Sequence, residues 1–522
     1  MALRHSVFAT LLFVALLLTG CAPTPEDQRP NIVMILADDM GYSDLGAYGG
    51  EIDTPALDRL ARNGLRFTRY YTNNMCVPTR ASLLTGIYPA IALDRGTLRR
   101  ECATIAELLR RAGYGTYMAG KWHLSEPGDF EGLPCQRGFD QFYGQIIGAA
   151  SFFAPATLMR NNENAEADSQ RPGFYYTDAI SDAAAGYVRD ASASRKPFFL
   201  YVSYTAAHWP LHALEADIAK YHGRYEAGWD ALREQRHARM KQLGVINPAW
   251  ELSPRHPNVP AWEREPHKEW QQRRMEVYAA QADRMDQGIA RLLAALEETG
   301  EMENTLTIFQ IDNGGCHVEY PPDRKGNYLP ERTRDGRPMR PGNLPEIMPG
   351  PEDTYQSYGH GWANLSNTPF RLFKQHDHEG GIITPLIVHW PGVVAPGTIT
   401  DQVAHVIDLA PTFLEVARAT HPRELAGRRL AEMDGKSLLP VIQGEQRRAH
   451  DALFWKWAKG RAVRRGQWKL VRVDNEPWEL YDIEADGTEL HNLAAEQPQV
   501  AQGLERLWQA WEARELKDVL KK

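Results

Sequence analysis

Cysteine is scarce in this chain: five residues in 522, at Cys21, Cys76, Cys102, Cys135 and Cys316. So few thiols in so long a chain exclude a fold built on disulfides. Basic charge is not in excess either, because 59 Lys and Arg face 67 Asp and Glu, a formal net charge of −8. A nucleic-acid partner would require the opposite balance to neutralise phosphates, so that class of partner is excluded. The apolar run Val7 to Leu18 is too short to span a bilayer comfortably. What remains is ordinary globular composition, 43% hydrophobic and 24% charged. A chain of this size buries one large core and a smaller domain beside it.

Arg4 and His5 precede the short apolar run, and Leu18-Thr19-Gly20-Cys21 follows it in the form of a bacterial lipobox. The pattern predicts a lipoprotein signal peptide over 1–20 and an anchor linker over 21–30. It makes the protein an exported bacterial lipoprotein, periplasmic or at the cell surface, held to a membrane through Cys21. An ordinary cleaved signal with a chance cysteine is the other reading.

Past the linker, Asn31 to Ala37 is continuously apolar and reads as a strand buried on both faces. Further strands are expected at 114–118, 198–204, 305–311 and 385–389. Helices are expected at 54–64, 104–112, 176–191 and 275–300. Strands alternating with helices predict an α/β sheet covered on both faces over 31–445. Two inserts interrupt it: a charged helical stretch at 221–244, and 319–361, rich in Pro, Gly and Arg, which is expected at the rim of a functional site. Over 446–522 the pattern changes to short antiparallel-type strands at 452–457, 460–465, 468–473 and 478–481. With a final amphipathic helix at 498–514 they form a small α+β domain.

The chemistry-bearing residues collect where strands end. Asp38 and Asp39 close the first strand, and Asp312 and Asn313 close the strand 305–311. Oxygen-bearing side chains at two strand ends suit a hard cation such as Ca²⁺ or Mg²⁺, and not zinc. Cys76-Val77-Pro78-Thr79-Arg80, continuing to Thr85-Gly86, starts a helix with Pro78 at its first position and Gly86 as its stop. A thiol at a helix N-terminus beside an arginine is suited to an oxyanion such as sulfate or phosphate.

That last string resembles the signature of the type I sulfatases, close to the bacterial arylsulfatases of the alkaline-phosphatase-like superfamily. Gly120-Lys121-Trp122-His123, Ala206-Ala207-His208-Trp209-Pro210 and Lys374 ahead of Glu379-Gly380-Gly381 match further motifs of that family in chain order. Thr79 stands where serine is common, and Phe373 where a smaller residue is frequent. The resemblance implies a large mixed, mostly parallel sheet sandwiched by helices, and hydrolysis of sulfate monoesters of aryl alcohols or sugars. It implies that a maturation enzyme oxidises Cys76 to Cα-formylglycine, whose hydrated aldehyde is the nucleophile. One Ca²⁺ is expected on Asp38, Asp39, Asp312 and Asn313, with residue 76 beside it.

The family roles follow residue by residue. Arg80 and Lys121 hold sulfate oxygens, and Lys374 shares that task. His208 or Lys374 assists the departing alcohol, Asp312 assists the attack, and His123 takes the second hydroxyl proton. Trp209, His212, Trp362 and the 319–361 insert are expected around the leaving group. Removing Cys21 and Cys76 leaves three cysteines, so one disulfide is possible and no pair is assigned. Two other readings stay open: a formylglycine-dependent phosphonate monoester or phosphodiester hydrolase, and a non-catalytic surface lipoprotein that binds sulfated glycans.

Overall fold

Asn31–Ala37 forms strand β1, with all seven residues buried. Shielding on both faces places such a strand inside a sheet, not at its rim. The structure, a computed structural model, describes residues 29–520. The expected leader and Cys21 lie outside them. After β1 the sheet gains β2 (Leu65–Phe67), β3 (Gly115–Gly120), β4 (Gln141–Gln145), β5 (Leu158–Arg160) and β6 (Glu163–Asn164). It is completed by β7 (Phe198–Ser203), β8 (Thr305–Ile311), β9 (Leu386–His389) and β10 (Thr398–Thr400). These form one ten-stranded sheet in the order β10-β2-β9-β8-β1-β7-β3-β4-β5-β6.

The central strands β8, β1, β7, β3 and β4 are all parallel. β9 runs antiparallel to both β8 and β2, so the sheet is mixed, with a parallel centre. Period-two alternation sends Val33 and Ile35 to one core and Ile32, Met34 and Leu36 to the other. Each such side chain, fully buried, contributes about 1.5–3 kcal/mol of transfer free energy.

Helices α1 (Pro55–Arg62), α2 (Cys76–Thr85), α3 (Ile105–Arg111), α4 (Tyr176–Ser194), α5 (Gly228–Gln242), α6 (Lys268–Glu298) and α7 (Leu409–Val416) follow in chain order. The apolar stripes of α1, α4 and α6 join the first core, and those of α2, α3 and α7 join the second. Local chemistry fixes their ends. Thr104 and Glu107 form a reciprocal capping box at the start of α3. Gly86 ends α2 in the left-handed region, φ 71°.

Several expectations need correction. Cys76, not Pro78, is the first residue of α2, and Pro78 lies within the first turn, where its missing N–H costs no helical bond. The helix expected from 275 starts at Lys268. Its polar first turns hide the apolar period because Arg274 is itself buried, donating to the Ser357 carbonyl and paired with Glu319. The charged 221–244 stretch is helical over Gly228–Gln242, as expected, and carries a buried cation. Arg236 of α5 is buried between Asp44 and Glu51, at 2.7 Å from each.

The insert is ordered too. It pairs Arg340–Pro341 with Thr354–Tyr355 and ends in the helix Gly359–Ser366. All four described cysteines, Cys76, Cys102, Cys135 and Cys316, are free thiols.

The C-terminal part is an antiparallel meander of β11 (Leu453–Trp457), β12 (Gly460–Arg465), β13 (Trp468–Val473) and β14 (Glu479–Asp482). Helix α8 (Pro498–Leu520) packs on it through Leu504, Trp508 and Trp511. Polar ties join the meander to segments that flank the large sheet, Thr72 and the short helix Glu379–Ile382. Trp455 Nε1 donates to the Thr72 carbonyl at 2.8 Å, and Lys469 Nζ reaches Glu379 and Glu489 at 2.6 and 2.9 Å with all three side chains buried. Among the described residues no helix is long and apolar enough to cross a membrane.

Candidate active site

β1, β8, β7 and β3 end at one edge of the sheet, the edge at which open α/β sheets bind ligands. Past those ends lie Asp38 and Asp39, Asp312 and Asn313, His208, and Lys121 with His123. Gly120 lets β3 and β7 close tightly. Its φ is 110°, and a Cβ there would lie 1.9 Å from the Ser203 carbonyl oxygen, which accepts from the Lys121 N–H at 2.8 Å.

Asp39 and His123 also sit in the left-handed region, at φ 61° and 59°. That conformation is held by neighbours: the Asp39 N–H donates to Asp312 Oδ1 at 3.1 Å, and the His123 N–H to the Ile146 carbonyl at 2.9 Å. α2 then brings Cys76 to the same edge, with Sγ at a helix N-terminus.

The side chains form an alternating array of charge. Arg80 Nη2 donates to Asp38 Oδ2 at 3.0 Å and Asp312 Oδ2 at 3.4 Å, and Nη1 holds the Lys121 carbonyl at 3.0 Å and Ser203 Oγ. Lys121 Nζ pairs with Asp38. Lys374 Nζ lies 2.5 Å from Asp39 Oδ1 and 4.0 Å from Cys76 Sγ. His208 turns Nε2 toward Asp39 Oδ2 at 3.2 Å, while Nδ1 lies 2.7 Å from the Trp209 carbonyl, which places a proton on Nδ1. Arg80 and Lys121 are inaccessible, but Cys76, Lys374 and His208 keep 4–5% exposure. With partly exposed His123 they mark the mouth of the site.

Electrostatics separates the groups. Burial alone would raise Asp38, but Lys121, His208 and Arg80 outweigh it and hold the carboxyl far below its usual range. Asp39 is likewise lowered: Lys374 and His208 offset its burial. Asp312, by contrast, is pushed up to about 7 by burial and by the Asp38 carboxylate. Burial, with the cations Lys121 and Arg80, keeps His123 well below 6.5 and therefore neutral at pH 7. Burial also brings His208 down to about 4, against the pull of Asp39. Burial raises the Cys76 thiol despite Lys121 and Lys374.

The donor set fits a divalent cation. Asp38 Oδ1, Asp39 Oδ2 and Asn313 Oδ1 are buried without a hydrogen-bond partner. Unpartnered buried oxygens are costly, and three on one site point to a missing partner of positive charge. Ligand atoms of Asp38, Cys76 and Asp312 lie within 4.8 Å of one another, as do those of Asp38, Asp39 and His208. Formal charge agrees: Asp38, Asp39 and Asp312 balance Arg80, Lys121 and Lys374. A divalent cation would then leave the site positive toward an anion.

The residues predicted for the reaction and for the cation, Cys76, Arg80, Lys121, His123, His208, Lys374, Asp38, Asp39, Asp312 and Asn313, are therefore brought to one place. Two neighbours were not foreseen. Ser203 supports Arg80 and donates to the Lys121 carbonyl at 2.8 Å; its signal was a hydroxyl at the end of an apolar strand. Gly148 lies against His123, since a Cβ there would sit 2.3 Å from the imidazole ring. Nothing in the sequence marked it.

Around the leaving group the expectation holds for Trp209, which keeps partial exposure, and for the insert, whose Tyr320 and Arg324 lie against the Trp209 ring. His212 is buried, with Nε2 at 2.6 Å from the Thr354 carbonyl, and Trp362 is buried between Trp229 and Trp262. A cleft of about 550 Å³ beside Arg59, Glu297 and His389 lies at the opposite edge, since His389 pairs with Thr307 near the start of β8.

Comparison with known proteins identifies the family of the chain. The sulfatase family matches residues 30–419, and the C-terminal family of N-sulphoglucosamine sulphohydrolase matches 370–516. An uncharacterized sulfatase of Schizosaccharomyces pombe is 33% identical, over 94% of both chains. An arylsulfatase of Klebsiella aerogenes is 33% identical over 83% of this chain and 96% of its own. The crystal structure of Ps i-CgsB in complex with k-i-k-neocarrahexaose superposes with a TM-score of 0.66, at 25% identity and 92% coverage of both chains. The chain belongs to the sulfatase family and is a sulfuric ester hydrolase.

Proposed function

Starting from that family membership, we propose that the enzyme cleaves sulfate monoesters of aryl alcohols or sugars with residue 76 as nucleophile and Ca²⁺ as its cation. The observation that carries this reading is Cys76 Sγ at the start of α2, 4.0 Å from Lys374 Nζ, with unpartnered Asp38, Asp39 and Asn313 oxygens in the same site. A maturation enzyme would oxidise Cys76 to Cα-formylglycine. The hydrated aldehyde supplies a hydroxyl nucleophile, and the cation supplies a Lewis acid. Asp38, Asp39, Asp312 and Asn313 would hold the cation.

The remaining work belongs to side chains of this chain. Lys374 at the mouth, with Arg80 and Lys121 buried behind it, supplies the positive charge that holds the sulfate and stabilises charge as the S–O bond breaks. Lys374 keeps its proton, because the Asp39 carboxylate outweighs its burial and holds its pKa well above 10.5. Asp312 is placed to receive the proton of the attacking hydroxyl, its carboxylate lying within 4.8 Å of Sγ. His208, oriented by the Trp209 carbonyl, would carry a second proton on Nε2 toward the departing oxygen once an anion is bound beside it. His123, neutral and with a buried unpartnered Nδ1, accepts the second hydroxyl proton.

A carbohydrate alcohol is supported by the likeness to Ps i-CgsB, solved with k-i-k-neocarrahexaose. Export and lipidation at Cys21 rest on Leu18-Thr19-Gly20-Cys21. Labelling with a radioactive fatty acid, lost in Cys21→Ser, tests the anchor. Sulfate released from defined aryl sulfates and sulfated sugars, beside matched aryl phosphonates, tests the reaction. Faster turnover of the phosphonates would transfer the assignment to a phosphonate monoester hydrolase.

A further inference from the structure

The wall beside His208 is aromatic and carries a cation, Arg324, with no anionic partner among the described residues. The Trp209 ring lies 4.5 Å from that of His208, and behind it stand Tyr320, Tyr328 and Tyr355 at 5.3, 5.6 and 6.1 Å between ring centres. The Arg324 guanidinium sits 5.1 Å from the Trp209 ring centre and 5.2 Å from that of Tyr320. Its Nε donates to Tyr328 Oη at 2.9 Å, which fixes the guanidinium plane. Both terminal nitrogens find no acceptor among the described residues.

Other arginines of the same insert differ. Arg334 is paired with Glu352, Arg337 with Asp335 and Asp353, and Arg340 with Asp353, while Arg332 holds the Gly336 carbonyl at 2.8 Å. Among the described residues of the insert, Arg324 alone is stacked in place and left without an anion. A planar guanidinium held by aromatic faces presents its N–H edge for paired hydrogen bonds to an oxyanion.

We propose that Arg324 and Trp209 form a subsite for a second anionic group on the substrate, a carboxylate or a further sulfate carried by the alcohol. The subsite rests on the sulfatase reading, because it is placed by its contact with His208 on the leaving-group side. Trp209 stacks on the ring that bears the scissile oxygen, and Arg324 binds the anionic substituent of that ring or of its neighbour.

The test compares three aryl sulfates that differ in one meta substituent: carboxylate, sulfonate in place of a second sulfate, and neutral carboxamide. Wild-type kcat/KM should favour whichever anionic probe fits by about tenfold over the carboxamide, the scale of one charge-assisted contact. Arg324→Met should bring the ratio of anionic probe to carboxamide to about one, and Arg324→Lys should keep part of it. A preference for carboxylate alone or sulfonate alone identifies the group.

Equal rates on all three probes in the wild type, or an unchanged ratio in Arg324→Met, would overturn the subsite. Calorimetric binding of the corresponding phenols separates the two levels of the assignment. Arg324-dependent preference for the anionic phenol without any sulfate release would uphold the subsite and sink the sulfatase substrate. Sulfate release without preference would do the reverse.

Discussion

Lys374 Nζ stands 4.0 Å from Cys76 Sγ and 2.5 Å from Asp39 Oδ1, so one ammonium touches both the nucleophile position and the cation cradle. The two residues are almost three hundred positions apart, and β1, α2 and the turn before Glu379 bring them together. Leu372 and Gln375, on either side of Lys374, have φ of 65° and 78°, so the turn is shaped to aim this side chain.

The cation cradle should bind one divalent ion per chain. Elemental analysis of purified protein should find it, and chelation should abolish sulfate release until Ca²⁺ is returned. Asp39→Ala should lose the ion and not be rescued. Full activity in a preparation shown to be free of metal would reject the cradle.

The two histidines should divide the reaction. With His123→Ala, alcohol should appear in a burst equal to the enzyme present while sulfate lags, because the step after S–O cleavage is slowed. With His208→Ala, the loss should be largest for poor leaving groups such as sugar alcohols and smaller for acidic phenols. Rapid quench with two phenols of different acidity checks both, and a burst in His208→Ala but not in His123→Ala would reverse the roles.

The buried histidines should make the fold acid-sensitive. Burial lowers His212 to about 4, while the unfolded chain has the ordinary 6.5. Above 6.5 the residue is neutral in both states and its contribution is complete. As pH falls toward 4 only the unfolded state gains the proton, so stability is lost, by up to about 3 kcal/mol from this residue. Urea unfolding at pH 7.5 and 5 should show a steeper loss in the wild type than in His212→Gln. Equal losses would place the acid sensitivity elsewhere.

Lys469 should be essential to the join between the C-terminal meander and the short helix Glu379–Ile382. It lies buried between Glu379 and Glu489, and Glu379 also accepts from Tyr71 Oη at 2.8 Å. Lys469→Met leaves two buried carboxylates facing each other, a cost of about 3–5 kcal/mol. Denaturant unfolding should show a loss of that order, and Lys469→Met combined with Glu489→Gln should recover part of it. No measurable loss in the single variant would mean that the buried pair contributes little.

Much of the site was legible because its residues sit at the ends of apolar strands or in a short fixed-spacing string. Asp38, Asp39, Asp312 and Asn313 follow β1 and β8 directly, and the alternation of strands and helices placed both at one edge. What stayed hidden depends on packing. Arg274 and Arg236 lie on helices whose polar faces look solvated, because their carboxylate partners come from distant segments. Gly148 acts only through the space it leaves for His123. His212 and Trp362 read as pocket residues by type, yet both are structural, one engaged by the Thr354 carbonyl and the other by the Gln271 carbonyl at 2.8 Å.

The most direct test of the account is the mass of the peptide carrying residue 76, measured on the same preparation whose sulfate release has been assayed. Active enzyme should carry the aldehyde or its hydrate at position 76 in place of the thiol, and activity should rise with the converted fraction. Full activity in protein carrying only unmodified Cys76 would contradict the account.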